Sequence, residues 1–193
     1  MNRIFIASLV SVALLLGACS KQDASDAGTS SKQELSVQNI AAKAKGFTVG
    51  SIMSARTVYV FFDPQCPHCG HLWQASIPLQ NKVKFEWIPV AWINPSSLPQ
   101  GAALLTSANP ADAMTTHEAS LLAGKGGISA SAGVSPEIEK SIKANTELLN
   151  SYSAQSVPFV VTTDAQSGKA VSHDGAMGTA ELAVFAGVGT ASP

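Results

Sequence analysis

Cys66 and Cys69 stand in the stretch Asp63 to Trp73, DPQCPHCGHLW, with two residues between them. A pair at this spacing can ligate a metal, close a structural disulfide or exchange electrons with other thiols. A structural zinc site needs four ligands. Beyond the pair the sequence offers His68, His71, His117 and His173, which form no second close ligand cluster, so no metal is expected. A disulfide across so short a ring restricts the unfolded chain little, which argues against a purely structural bond. Redox chemistry carries the most weight, with the other two readings still open.

The attacking species in that chemistry is a thiolate, so one cysteine needs its negative charge stabilised. A helix N-terminus supplies unpaired N–H groups and about half a positive charge. Pro67 is suited to the first turn of a helix, where its missing N–H costs nothing, and this puts Cys66 at the helix tip as the candidate nucleophile. Cys69, one turn in and deeper, is the candidate resolving thiol. His68 lies between them, and its protonatable imidazole favours the Cys66 thiolate further. A stabilised thiolate means a less stable Cys66–Cys69 disulfide. Neither a metal nor an organic cofactor is required.

The third cysteine has a different setting. Arg3 precedes an apolar run from Ile4 to Leu16 broken only by Ser8 and Ser11. It is shorter than the roughly 20 residues a membrane span needs, but suits the core of a secretory signal, so residues 1–18 are read as a leader. LGAC, Leu16 to Cys19, resembles the lipobox of bacterial lipoproteins. That resemblance implies lipid attachment at Cys19 and, from Ser20 beside it, sorting to the outer membrane. The alternative is an ordinary cleaved signal with an incidental cysteine. With Cys19 an anchor, Cys66 and Cys69 can pair only with each other or with a partner's thiol, in a disulfide-permissive compartment.

The chain has 193 residues, with 12 Lys and Arg against 13 Asp and Glu and a net charge of -1. This balance indicates neither a nucleic-acid surface nor a polybasic membrane patch. Without the leader there is length for one good core and scarcely for two domains. Ser20 to Lys32 is polar and aperiodic and reads as a tether, on the order of 20 Å long as a flexible coil. Gln33 to Lys45 has approximate helical spacing and stops at Gly46, so residues 19–46 are taken as anchor, tether and a possible short helix. The catalytic domain is placed at residues 47–193.

The remaining elements position the pair. TVYVFF, from Thr57, is β-branched and aromatic throughout, as in a central strand buried on both faces. The helix after Cys66 should run to about Ile77 and end or kink at Pro78. VKFEWIPVAWI, Val83 to Ile93, is the next strand and completes a βαβ unit. Helices are expected over Pro99 to Ser107, over Pro110 to Ala123 behind an Asn109 cap, and over Pro136 to about Tyr152 behind a Ser135 cap. VPFVVTTD and KAVSHDG flank a turn at Gln166 to Gly168 as a hairpin, and Thr179 to Val188 forms a closing helix.

This order, with the Cys-x-x-Cys at the head of the first helix of the βαβ unit and Pro158 at the head of the hairpin, resembles a thioredoxin-like α/β fold. A helical insertion separates the βαβ unit from the C-terminal ββα unit. FFDPQCPHC, the following LWQASIPL, NPADAMTTHEAS and SVPF resemble more closely the catalytic domain of bacterial disulfide isomerases of the DsbC and DsbG type. The resemblance implies that Val157–Pro158 is cis and lies against the disulfide, with the Val157 backbone binding extended substrate in β-strand fashion. A trans proline opening an edge strand is the alternative.

Three departures matter. Pro67-His68 is the dipeptide of the oxidant DsbA, where the isomerases usually carry tyrosine in place of His68. Val157 stands where they usually carry threonine, again as in DsbA. Thioredoxin and DsbA also have a buried acid six positions before the first cysteine, where this chain has Val60, which leaves proton handling to water, His68 or the thiols. The expected function is a periplasmic, lipid-anchored thiol:disulfide oxidoreductase acting on exported proteins with a membrane redox partner. Because Cys19 to Thr57 leaves no room for the dimerisation domain of the isomerases, a monomer is expected. A dedicated reductase and a non-catalytic binding module are the alternatives. Trp73, Trp87 and Trp92 are assigned to the core or its border, with Trp73 a possible edge of a substrate groove, and the other histidines to surface or hydrogen-bonded positions.

Overall fold

The computed structural model describes residues 33–189. The proposed leader, the proposed lipid-attachment residue Cys19 and the proposed tether up to Lys32 lie outside the described residues. Among the described residues no helix is long and apolar enough to cross a membrane.

The elements in chain order are α1 (Val37–Lys43), β1 (Phe47–Gly50), β2 (Thr57–Phe62), α2 (Pro67–Ser76), β3 (Lys84–Pro89), α3 (Ser97–Leu105), α4 (Pro110–Leu122), α5 (Pro136–Ser151), β4 (Phe159–Thr163), β5 (Ala170–Asp174) and α6 (Thr179–Phe185). The five strands form one sheet in the order β1-β3-β2-β4-β5. β2 and β3 are parallel, as their helical crossover demands, with Val60 opposite Trp87. β4 runs antiparallel to β2, β5 antiparallel to β4, and β1 antiparallel to β3. β2 is therefore central, and Val58, Val60, Phe61 and Phe62 are all buried.

The predicted βαβ unit, insertion, hairpin and closing helix are present, with two differences. Phe47–Gly50 forms an edge strand that sequence reading did not assign. Only four residues long, it alternates buried Phe47 and Val49 with exposed Thr48 and Gly50. The strand expected over Val83 to Ile93 ends at Pro89. Beyond it, the N–H groups of Trp92 and Ile93 donate to the Asp63 carboxylate instead of to a neighbouring strand.

α2 begins with Pro67 in its first turn, and Cys69, Leu72, Trp73 and Ser76 recur at helical spacing as its buried face. A 3₁₀ turn over Ile77–Leu79 follows, as Pro78 requires. The Trp73 ring packs edge-on against Trp87 with centroids 5.1 Å apart, and Trp87 packs against Phe62 at 5.6 Å, so aromatic rings lock α2 to the sheet. Of the three tryptophans assigned to the core or its border, Trp73 and Trp87 are buried and Trp92 is 39% exposed. The insertion helices carry the expected caps, Asn109 accepting from the Asp112 N–H and Ser135 from the Ile138 N–H.

Candidate active site

β2 ends by delivering Asp63 into a tight turn, and Cys66 follows as the N-cap of α2 in an extended backbone conformation. Three fixings hold this turn. The Cys66 N–H donates to the Asp63 carbonyl at 2.9 Å. The Asp63 side chain, fully buried, accepts from the Gln65 N–H at 2.8 Å, from the N–H groups of Trp92 and Ile93 at 2.6 and 2.9 Å, and from the Ser97 hydroxyl at 2.7 Å. His117 of α4 donates through Nε2–H to the Pro64 carbonyl at 2.7 Å, while its Nδ1 accepts from the Ile128 N–H at 3.2 Å. Both ring nitrogens are thus committed in the neutral form, and burial pushes the imidazole pKa down.

Asp63 caps the turn entering the helix and also ties that turn to the β3 exit and to α3. For His117 the available signal was its place three residues after Met114 on the buried face of α4.

The two thiols are chemically unequal. Cys66 has its pKa lowered to about 6. The chief cause is the Cys69 thiol donating to its sulfur; the backbone N–H groups of Cys69 and His68 and the charge of His68 add to this, against an opposing contribution from burial. Cys69 is fully buried, and burial first, then its bond to Cys66, push its pKa well above the ordinary thiol value. His68 is exposed on the first turn, with its ring 6.1 Å from that of His71. Both cysteines are free thiols here.

The Val157–Pro158 bond is cis. The Val157 carbonyl accepts from the Cys66 thiol at 3.3 Å, so the head of β4 and the tip of α2 meet at the sulfur. The structure therefore brings Cys66, Pro67, His68, Cys69, Val157 and Pro158 to one place.

A further residue, Glu118, was missed. It lies one position after His117 on α4, is 1% exposed, and neither carboxyl oxygen has a hydrogen-bond partner among the described residues. Its pKa is pushed up to about 9, by burial first and then by the neighbouring Cys66 charge. The signal in the sequence was an acid on the same helical face as Met114, inside the NPADAMTTHEAS stretch.

No protein-family model matches the chain. It is 32% identical over 141 residues to the thiol:disulfide interchange protein DsbG of Pseudomonas aeruginosa, covering 72% of this chain and 54% of that protein. It is 36% identical over 105 residues to the DsbG of Escherichia coli, covering 53% of this chain and 42% of that one. The chain thus spans about half the length of the curated relatives it matches. Among solved structures it superimposes on a periplasmic thioredoxin-like protein from Salmonella enterica serovar Typhimurium with a TM-score of 0.63 and 15% identity, covering 80% of this chain and 97% of that one. The fold is thioredoxin-like.

Proposed function

We propose that the chain is a thiol:disulfide oxidoreductase that works in the periplasm on exported proteins, cycling Cys66 and Cys69 between dithiol and disulfide. The observation that carries this reading is the inequality of the two thiols: an acidic sulfur at a helix tip beside a buried one that resists ionisation. A structural pair has no need of such a difference, whereas a nucleophile and a resolving thiol do. The similarity to two interchange proteins supports it.

In the reducing direction the Cys66 thiolate attacks a substrate disulfide, forms a Cys66–substrate bond and expels a substrate thiolate. Cys69 then attacks the Cys66 sulfur, releases the second substrate thiolate and leaves the Cys66–Cys69 disulfide. In the oxidising direction a substrate thiolate attacks Cys66, expels Cys69, and a second substrate thiol completes the transfer of two electrons. Because the fold stabilises the Cys66 thiolate, the reduced state is favoured and oxidation of substrates is the preferred direction. Pro67-His68 and Val157 agree with it. The Val157 backbone, beside the sulfur, is the docking edge for extended substrate.

Cys19 is the lipid attachment point in this reading. Residues 1–18 are the leader, the following tether keeps the domain near the outer membrane, the working unit is a monomer, and a membrane protein re-oxidises it. Three measurements test the proposal. The reduction potential should fall nearer DsbA's ~-120 mV than thioredoxin's ~-270 mV, and the latter value would support a reductase. Cys69→Ala should trap mixed disulfides on Cys66 that mass spectrometry identifies as exported proteins and the membrane partner; if it traps none, and the wild type fails to reduce insulin, the chain is an inert binding module.

A further inference from the structure

Glu118 is a buried carboxyl group that nothing in the fold requires. Among the described residues it makes no ion pair and accepts no hydrogen bond, although burying an unpaired polar group opposes folding. The chain even makes room for it. A Cβ added at Gly70, the residue after Cys69, would come 2.6 Å from Glu118 Oε2 and 3.1 Å from Leu122 Cγ. The absent side chain at position 70 thus lets the carboxyl lie against the turn of α2 that carries the resolving thiol. From α2 the groups facing it are Cys66 and Cys69, while His68 and His71 are exposed. α3 and β1, also packed on α4, contain no titratable side chain. Its helix neighbour His117 is held neutral by its two hydrogen bonds.

The resolving thiol creates a need that such a group meets. When a substrate thiolate attacks the Cys66–Cys69 disulfide, Cys69 leaves as a thiolate in a fully buried position where that charge is disfavoured. The acid that thioredoxin and DsbA carry six positions before the first cysteine is replaced here by Val60, buried in β2.

We propose that Glu118 is the proton donor to Cys69 as the disulfide opens and takes the proton back as it closes. The inference rests on the redox reading of the pair. In opening, the substrate sulfur bonds to Cys66, the Cys66–Cys69 bond breaks with its electron pair staying on Cys69, and the Glu118 proton passes to that sulfur. The products are a mixed disulfide, a neutral Cys69 thiol and a Glu118 carboxylate, so the single negative charge is conserved. Cys66 is uncharged at that moment, and no thiolate opposes the carboxylate. Closing reverses each move. The source of the acid is the insertion helix, which gives α4 a chemical role as well as a structural one.

The test measures stopped-flow opening of the oxidised chain by reduced glutathione between pH 5 and 10, for the wild type and Glu118→Gln. General acid catalysis contributes roughly 10²-fold or more, and bulk water can replace part of it, so Glu118→Gln should open about tenfold more slowly at pH 7. The deficit should vanish at alkaline pH, where the wild-type carboxyl has lost its proton. The Cys66 alkylation midpoint should be the same in both, because Glu118 is neutral where Cys66 titrates. Glu118→Leu, which suits an apolar site, repeats the test should Glu118→Gln not fold. Equal rates at all pH values, a deficit that is constant with pH, or failure of both variants to fold would each overturn the role of Glu118. A wild type inert to glutathione would overturn the redox reading along with it.

Discussion

The Asp63 carboxylate and the Ser97 hydroxyl meet at 2.7 Å, both side chains fully buried, and join the end of β2 to the start of α3. Three backbone N–H groups converge on the same carboxylate. Hydrogen bonds to a charged acceptor contribute about 1.5–3 kcal/mol each, and their loss strands the donors. Asp63→Ala should therefore lower stability in urea by about 3 kcal/mol or more. Asp63→Asn, which keeps one acceptor but presents an amide that cannot accept from Trp92 and Ile93, should lose about half as much.

His117→Leu should destabilise the chain by about 2–3 kcal/mol, since it leaves the Pro64 carbonyl and the Ile128 N–H without their partner. The pH dependence has a definite sign. Burial lowers the folded pKa of His117 below the ordinary value of 6.5, so the unfolded chain binds a proton first as pH falls. The contribution is present above about pH 6.5 and is lost as pH falls through the lower folded value. His117→Gln, which cannot titrate, should flatten that acid-side decline in chemical denaturation.

Glu118 acts in the opposite sense. Its folded pKa, about 9 against an ordinary 4.5, makes the folded chain hold a proton that the unfolded chain releases. Its contribution is fully present below pH 4.5 and is lost as pH rises through about 9. The stability advantage of Glu118→Gln over the wild type should grow steadily between those limits, which denaturation at a series of pH values will show. A flat difference would place the carboxyl in contact with water.

Much of this architecture was legible because its signals are local. Proline at the head of α2, β-branched residues in β2, and Asn109 and Ser135 as caps each act over a few residues. β1 escaped because four residues offer little periodicity, and its strand state depends on pairing with β3, distant in sequence. β3 ended early for a similar reason: the apolar run continues to Ile93, but the Asp63 carboxylate captures the N–H groups there. At the site, Cys66 and Cys69 announced themselves by spacing. Glu118 and His117 did not, because only the packing of α4 brings Glu118 to the dithiol and His117 to the Pro64 carbonyl in the turn before it.

The most direct measurement is the pH titration of thiolate absorbance in the reduced chain, with Cys66→Ser and Cys69→Ser to assign the signals. One thiol, Cys66, should ionise with a midpoint near 6, and Cys69 should remain protonated past the ordinary thiol range. A Cys66 midpoint near 9, the value of an unperturbed thiol, would contradict the stabilised thiolate on which the proposed chemistry depends.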